Sequence, residues 1–301
     1  WTTPFVLVRA GDATATATVA VDPAQFAAMA TWPEGRTPDL RRLALPTTAP
    51  VVVTGTTVSA VISSSELTLW SGETRLGPTT LLPVTLQLGL VNANGERLTV
   101  AFPAVSPRGS APHRVTAAAP CAAGCRLASL QVFNSALQPP MAGSLTIADL
   151  TAGDRQVALG PAADWQGLLD SATAGSPGGG DQPGATKVES FDGASLTVSF
   201  TTGSTNPLSV EHTDVPIRMP ALVAGPLPPG ADGRSFVAPG LDGVDTPMTE
   251  VGSLAYIPGA PAHAALLNLA LLQRVGAESP GPSASVRVLA RRDDPAQLTT
   301  L

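Results

Sequence analysis

The hydrophobic pattern of this chain is a series of short strand-like runs with few helical stretches. Phe5 to Val8 and Thr16 to Val21 alternate or run apolar with β-branched residues, which predicts strands. Asp22 then sits at an N-cap position with Pro23 at the first helical position, predicting a short helix through Met29 that Trp32-Pro33-Glu34-Gly35 ends. Between Pro50 and about Phe200 short strands recur: Val51 to Val53, Val58 to Ile62, Glu66 to Trp70, Val84 to Val91, Arg97 to Phe102, Arg126 to Phe133 and Ser144 to Leu150. Asn92-Ala93-Asn94-Gly95 reads as a hairpin turn. Strands at this spacing predict a β-sandwich.

The sandwich pattern is broken once and then resumes. Ala174 to Gly184 is too rich in Gly and Pro to pack and is expected to be a mobile surface loop. Val188 to Phe191 and Ser195 to Phe200 follow, joined by the turn Asp192-Gly193. From Val215 the texture changes again, with a Pro-punctuated lead-in, a strand over Glu250 to Ile257, a buried helix over Ala264 to Arg274 and a last strand over Ser285 to Leu289. The apolar run within that helix, Ala264 to Leu272, is about half the length a bilayer span needs. Mixed strand and helix patterns occur only outside the sandwich interval. Both chain ends are therefore expected to pack into one small α/β domain, residues 1–49 with 206–301, around an inserted sandwich of 50–205.

Composition narrows the class. In 301 residues there are 29 Gly and 30 Pro, only 13% charged and 4% aromatic residues, which favours short strands and many turns. A hydrophobic content of 44% argues against disorder throughout, and a net charge of −6 with no basic stripe sets nucleic-acid binding aside. Lys187 is the only lysine; this bias fits high-GC coding and carries no mechanism.

The two cysteines, Cys121 and Cys125, stand in Pro120-Cys121-Ala122-Ala123-Gly124-Cys125. A structural zinc needs about four ligands, and His113, His212 and His263 are scattered. A disulfide is favoured over an incidental reduced pair, and with it a location outside the cytoplasm. So small a loop constrains the unfolded chain by about 2 kcal/mol, enough to pin a turn against the strand that follows. The sequence opens Trp1-Thr2-Thr3-Pro4 without a signal-peptide pattern. An exported chain with neither signal nor anchor is expected to be a segment of a longer protein.

Three pieces in order carry a family resemblance: Val215-Pro216-Ile217-Arg218-Met219-Pro220-Ala221-Leu222-Val223, Val251-Gly252-Ser253-Leu254-Ala255-Tyr256-Ile257-Pro258-Gly259, and Ala264 to Gln273. This order resembles the extracytoplasmic part of FtsX-like (MacB-like) ABC-transporter permeases. There a Pro-Ala-Leu-Val helix precedes a strand ending near a Pro-Gly turn, and a helix follows that often begins Val-Asp-Leu; here Leu267-Asn268-Leu269 stands at that place. Val19 to Ala27 resembles the strand and Asp-capped helix of the same region. Cys121 to Val132, Gly143 to Leu150 and Phe191 to Leu196 look like a galactose-binding-type jelly roll, an insert that large actinobacterial permeases carry. The resemblance implies a mainly β fold, a jelly-roll sandwich inserted in a discontinuous, membrane-proximal α/β domain. It also implies a place at the cell surface within an integral membrane protein of the plasma membrane. Its partners would be transmembrane helices of the same parent chain and an ABC ATPase subunit, with a glycan or extracellular protein outside.

Gly-x-Ser-x-Gly, Gly-x-x-x-x-Gly-Lys-Ser/Thr and His-Glu-x-x-His do not occur, so no enzyme activity and no cofactor are expected. Asp293-Asp294 and the set Asp242, Asp245 and Glu250 lie in Gly/Pro-rich or terminal stretches, where solvated turn residues outweigh acid/base or calcium roles. His212 is expected to be a surface linker histidine in preference to a general base, and His113 and His263 to be loop residues. Trp70 with Arg75, and Trp165, are the candidates for a sugar-stacking surface. Packing is favoured for Trp70, and Trp165 has capping the sandwich as its alternative. The leading functional expectation is a non-catalytic permease domain coupling membrane-helix motion to an external partner or substrate. The alternative is a secreted carbohydrate-binding sandwich, which has no need of the region beyond Val215.

Overall fold

The computed structural model describes residues 2–9, 16–32, 38–71, 74–76, 84–104, 111–134, 141–167, 186–191, 193–202, 208–276 and 284–290. The chain begins with β1 (Thr2–Val8), β2 (Ala17–Val21), α1 (Pro23–Met29) and a 3-10 turn at Leu40–Leu43. Next come β3 (Val52–Ser71), β4 (Thr74–Leu76), β5 (Val84–Asn92), β6 (Arg97–Ala101) and β7 (His113–Asn134). They are followed by β8 (Met141–Ala152), β9 (Arg155–Gln156), β10 (Trp165–Gly167), β11 (Thr186–Phe191), β12 (Ser195–Thr202) and β13 (Leu208–His212). The last elements are β14 (Met219–Ala224), β15 (Ser235–Pro239), β16 (Asp245–Leu254), β17 (Ala264–Asn268), α2 (Leu269–Val275) and β18 (Ala284–Ala290). The fold is mainly β. Two compact units result: a terminal unit of Trp1–Thr47 with Val215–Leu301, and an inserted unit of Thr48–Asp214.

The terminal unit is built on one mixed sheet in the order β15-β16-β14-β17-β2-β1-β18. Two of its pairs, β14 with β16 and β17 with β2, are parallel. Alternate residues of the central strands enter opposite cores. Leu222, Ala224, Ala264 and Leu266 join Phe26 of α1 on one face, while Ala221, Val223, Ala265 and Leu267 join Leu271 of α2 on the other. A strand covered on both sides reads as an unbroken apolar run, and this corrects two expectations. Ala264 to Asn268 is a strand, with the helix starting only at Leu269, and Pro220-Ala221-Leu222-Val223 lies in β14, not in a helix. Each helix follows its strand through an Asx cap. The Asp22 carboxylate accepts from the backbone N–H of Ala24 at 2.9 Å, and the Asn268 side chain from that of Ala270 at 2.9 Å.

The inserted unit is a β-sandwich whose described pairings are all antiparallel. One layer runs β7-β3-β8-β12-β11 and the other β6-β5-β7-β13-β10, with β7 common to both. Its first half pairs β3 and its second half lies between β5 and β13. Val53, Ile62, Leu88, Leu130, Ile147 and Val198 meet in a single core drawn from both layers. The separate runs 51–53, 58–62 and 66–70 thus belong, from Val52 on, to one strand of 20 residues, and Arg126 to Phe133 is the second half of one of 22. Leu208 to His212 also belongs here, because β13 hydrogen-bonds β7 and β10; the unit ends at Asp214, nine residues beyond the expected 205.

Where β7 changes layer its register slips. Val53 faces Cys125 and Gly55 faces Cys121, so four steps along β7 (125 to 121) match two along β3 (53 to 55). The surplus residues form a bulge, which bends and twists a strand, and the Cys121–Cys125 disulfide closes it, Cα to Cα 5.2 Å. Gly124 inside the bulge has φ 93°, a conformation that favours glycine. Opposite, Gly55 lies against the β8–β9 turn, where a Cβ would come within 3.1 Å of the Gly153 nitrogen. The bridge therefore staples a bulge within a strand, where a turn ahead of a strand was expected. Replacing both cysteines, Cys121→Ala with Cys125→Ala, is expected to lower the unfolding free energy by about 2 kcal/mol. Urea denaturation measures it, and an unchanged midpoint would mean that packing alone holds the bulge.

Candidate functional site

A cluster of buried polar groups lies at the end of β13, where the chain leaves the inserted unit. Strand alternation turns Val210 inward, and His212 faces Trp165 of β10 directly across the sheet. Trp165 is 4% exposed, its indole N–H donates to the Leu159 carbonyl at 2.7 Å, and its ring meets His212 edge-on at 5.0 Å. His212 Nδ1 lies 2.8 Å from Asp214 Oδ1, and the Arg126 Nε–H of β7 donates to Asp214 Oδ2 at 2.7 Å. Between them the Thr213 N–H donates to the Asp164 carbonyl at 2.8 Å, and the Thr213 hydroxyl donates to that of Thr48 at 3.3 Å. The first and last segments of the inserted unit are thereby fastened together.

The two carboxylates of this cluster respond in opposite directions. Burial alone would raise the Asp214 pKa. The His212 hydrogen bond and the adjacent Arg126 charge outweigh it and hold the group below the ordinary aspartate range. At Glu211 burial wins, the Arg126 and Arg97 charges offset only part of it, and the carboxyl is raised. An Asp–His pair is the orienting half of a nucleophilic triad. Here, however, His212 is 1% and Asp214 0% exposed, so no substrate atom reaches the imidazole. The chemistry this geometry supports is charge-assisted fastening of β7 to β13.

The expected site residues fall as follows. Cys121 and Cys125 are bonded. Trp165 is in the sandwich core and is corrected as a sugar platform: its apolar ring is covered and its only polar atom is satisfied internally. Trp70 and Arg75 face one another in the β3–β4 register; their side chains lie outside the described residues, as do Asp293, Asp294 and the stretch Ala174 to Gly184. His212 is buried, not a surface linker residue, because β13 extends to it and its imidazole is partnered by Asp214. His113 opens β7 and is exposed, and His263 lies in a bend. Asp242 is a turn residue whose Oδ1 accepts from the Val244 N–H at 3.1 Å, while Asp245 begins β16 and Glu250 lies within it. Among the described residues no three His, Cys, Asp or Glu side chains converge as a metal site.

Sequence reading missed Arg126, Asp214 and Glu211 as a group. The spacing His212-Thr213-Asp214 was a local hint, but Arg126 is 88 residues away and only the β7–β13 register delivers it. The terminal unit has a cleft of about 800 Å³ beside the starts of α1 and α2. Of its polar groups, Asp22 caps α1, Asp39 pairs Arg41 at 2.9 Å, and Asn268 donates to the Leu43 carbonyl at 2.9 Å. No family model, curated protein or solved structure matches this chain.

Removing Asp214 leaves Arg126 largely buried without its closest carboxylate. Asp214→Ala is expected to cost about 3 kcal/mol or more in urea denaturation. Because the folded pKa of Asp214 is depressed, its contribution is complete above the unfolded value of about 3.9 and is lost as pH falls through the folded one. The margin of wild type over Asp214→Asn should shrink in that acid window. Glu211 has the opposite sign: its raised pKa favours the fold below about 4.3 and loses that contribution as pH rises through the folded value. Glu211→Gln should therefore gain on wild type as pH rises there; a pH-independent difference for both variants would contradict these assignments.

Proposed function

We propose that this chain is a non-catalytic extracytoplasmic domain of an FtsX-like ABC-transporter permease, coupling movement of membrane helices to an external partner or substrate. One observation carries this reading. The first and last described strands, β1 and β18, pair antiparallel with Thr2 opposite Ala290. These two strands thus lie side by side, an arrangement that suits a domain held between two neighbouring membrane helices. Displacement of one helix against the other would load the β1–β18 ladder directly. The same logic is repeated at the insert, where Thr48 and Thr213 are hydrogen-bonded. A disulfide suits an oxidising location, and no described helix is long and apolar enough to cross a membrane. The membrane spans and the ATPase would belong to the rest of the parent chain and to a separate subunit.

Affinity purification of the intact parent polypeptide from membranes tests the proposal. The expected result is co-purification of an ABC ATPase, with the inserted unit open to protease added outside the cell. Recovery of the protein as a free secreted species without an ATPase would overturn it.

A further inference from the structure

The middle of the terminal sheet holds two parallel neighbours, β2 and β17, with Val21 beside Asn268 at their carboxyl ends. Each strand runs through an Asx cap straight into a helix, yet the two helices leave in opposite directions. Phe26 of α1 packs on one face of the sheet with Val19 and Val21, and Leu271 of α2 packs on the other with Ala265 and Leu267. Chains that diverge from adjacent parallel strand ends leave a crevice between them, which is where open α/β sheets hold ligands. The cleft of about 800 Å³ lies at this point, between Ala24 and Ala27 of α1 and Ala270 and Gln273 of α2. Residues 38–45 form its remaining wall. Leu40 and Leu43 belong to the core on the α1 face and Leu45 packs against the core on the α2 face, so this segment crosses over the strand ends. The Asn268 amide holds it there through the Leu43 carbonyl.

The lining selects the kind of ligand. Ala24, Ala27 and Ala270 present only a methyl group where a larger side chain would close the crevice, and Leu40, Leu45 and Leu269 supply apolar wall. A mostly apolar cleft of this volume, with a few polar groups, suits an organic molecule. An anion finds the donors at the helix starts already taken. Asp22 Oδ1 accepts from the Ala24 and Gln25 N–H groups at 2.9 and 3.0 Å, and the Asn268 side chain from that of Ala270 at 2.9 Å. The charges favour a cation. Arg41, the cation on the lining, donates through Nε to Asp39 at 2.9 Å, which leaves Asp22 as the carboxylate with no cation paired to it among the described residues. Asp22 Oδ2 has the Gln25 side-chain amide at 3.4 Å, beyond the usual range of a strong hydrogen bond.

We propose that this cleft binds a small amphiphilic amine, its ammonium at Asp22 and its aliphatic part along Ala27, Leu40, Leu45 and Leu269. An ammonium carries three donors and no acceptor, which complements a carboxylate with one oxygen still open to a short bond. The aliphatic part leaves water for the apolar walls, and this burial supplies most of the affinity. The carboxylate decides which head group is accepted, because an exposed ion pair adds little energy but fixes the sign of the charge. This site lies in the terminal unit, apart from Trp70, Arg75 and Trp165, and it does not depend on the permease reading.

Ligand-observed NMR titration of the whole chain at neutral pH with octylamine, octan-1-ol and octanoate tests it, since the three share one tail and differ in head-group charge. Octylamine, protonated under these conditions, is expected to bind with a Kd of about 1 mM or tighter, and octanoate about tenfold more weakly. Asp22→Asn keeps a helix cap of equal quality and removes the charge, so it should leave Tm nearly unchanged and weaken octylamine about threefold. Arg41→Gln removes the competing cation and should tighten octylamine by a similar factor. Ala270→Trp, at an exposed position, fills the crevice and should abolish binding of octylamine. Octanoate or octan-1-ol binding as tightly as octylamine would overturn the proposal, as would an octylamine titration with no approach to saturation at about 5 mM. So would an octylamine affinity that Asp22→Asn and Ala270→Trp both leave unchanged, which would place the ligand elsewhere.

Discussion

The parallel pairing of β2 with β17 is the constraint on which the terminal unit depends. Ala17 to Val21 lies beside Ala264 to Asn268, so the middle of the sheet is assembled from opposite ends of the chain. Neither end alone closes the core on the α1 face. Val19 and Phe26 from the first segment share one cluster with Leu222 and Leu266 from the second, and the α2 side is filled mainly by residues beyond 214. Closing so long a loop costs entropy that grows only slowly with its length. The intervening chain is better folded than loose, because a compact insert with neighbouring ends reduces the closure to that of a short connection. The Thr48–Thr213 bond and the Arg126–Asp214 pair perform that local fastening.

Inside the insert the equivalent constraint falls on β7. A strand long enough to serve two layers must bend without leaving its backbone groups unpaired. The register slips against β3 and β5 supply the bend, and the disulfide fixes the largest of them. Arg126 follows Cys125 immediately, so the same bend that changes layers also aims Arg126 at Asp214. A feature that began as backbone geometry therefore sets the position of the unit's principal buried ion pair.

What could be read in the sequence follows from whether the information was local. The Asp22-Pro23 helix start, the Asn92 to Gly95 turn and the cysteine spacing are signals contained within a few residues, and each occurs where it was expected. The β-sandwich class was legible for the same reason, since period-two patterns and turns are local. Ala264 to Asn268 was misread because burial on both faces erases the alternation that distinguishes strand from helix. His212 was misread because its environment comes from Trp165 and Arg126, which only strand pairing brings to it.

The contrast between Asp214 and Glu211 shows why residue type alone does not define a site. Both lie within the field of Arg126, and both are drawn into the protein. Asp214 takes direct hydrogen bonds from Arg126 and His212, so ionisation is favoured despite burial. Glu211 feels Arg126 only through its charge, and desolvation prevails. Direct donors distinguish the two, in keeping with the strength of charge-assisted bonds. One carboxylate is consequently committed to holding the root of the insert. The other, Glu211, stays half-buried on β13 under the charges of Arg126 and Arg97. On this layer the fastening is carried by the Asp214 end, two residues beyond the last residue of β13.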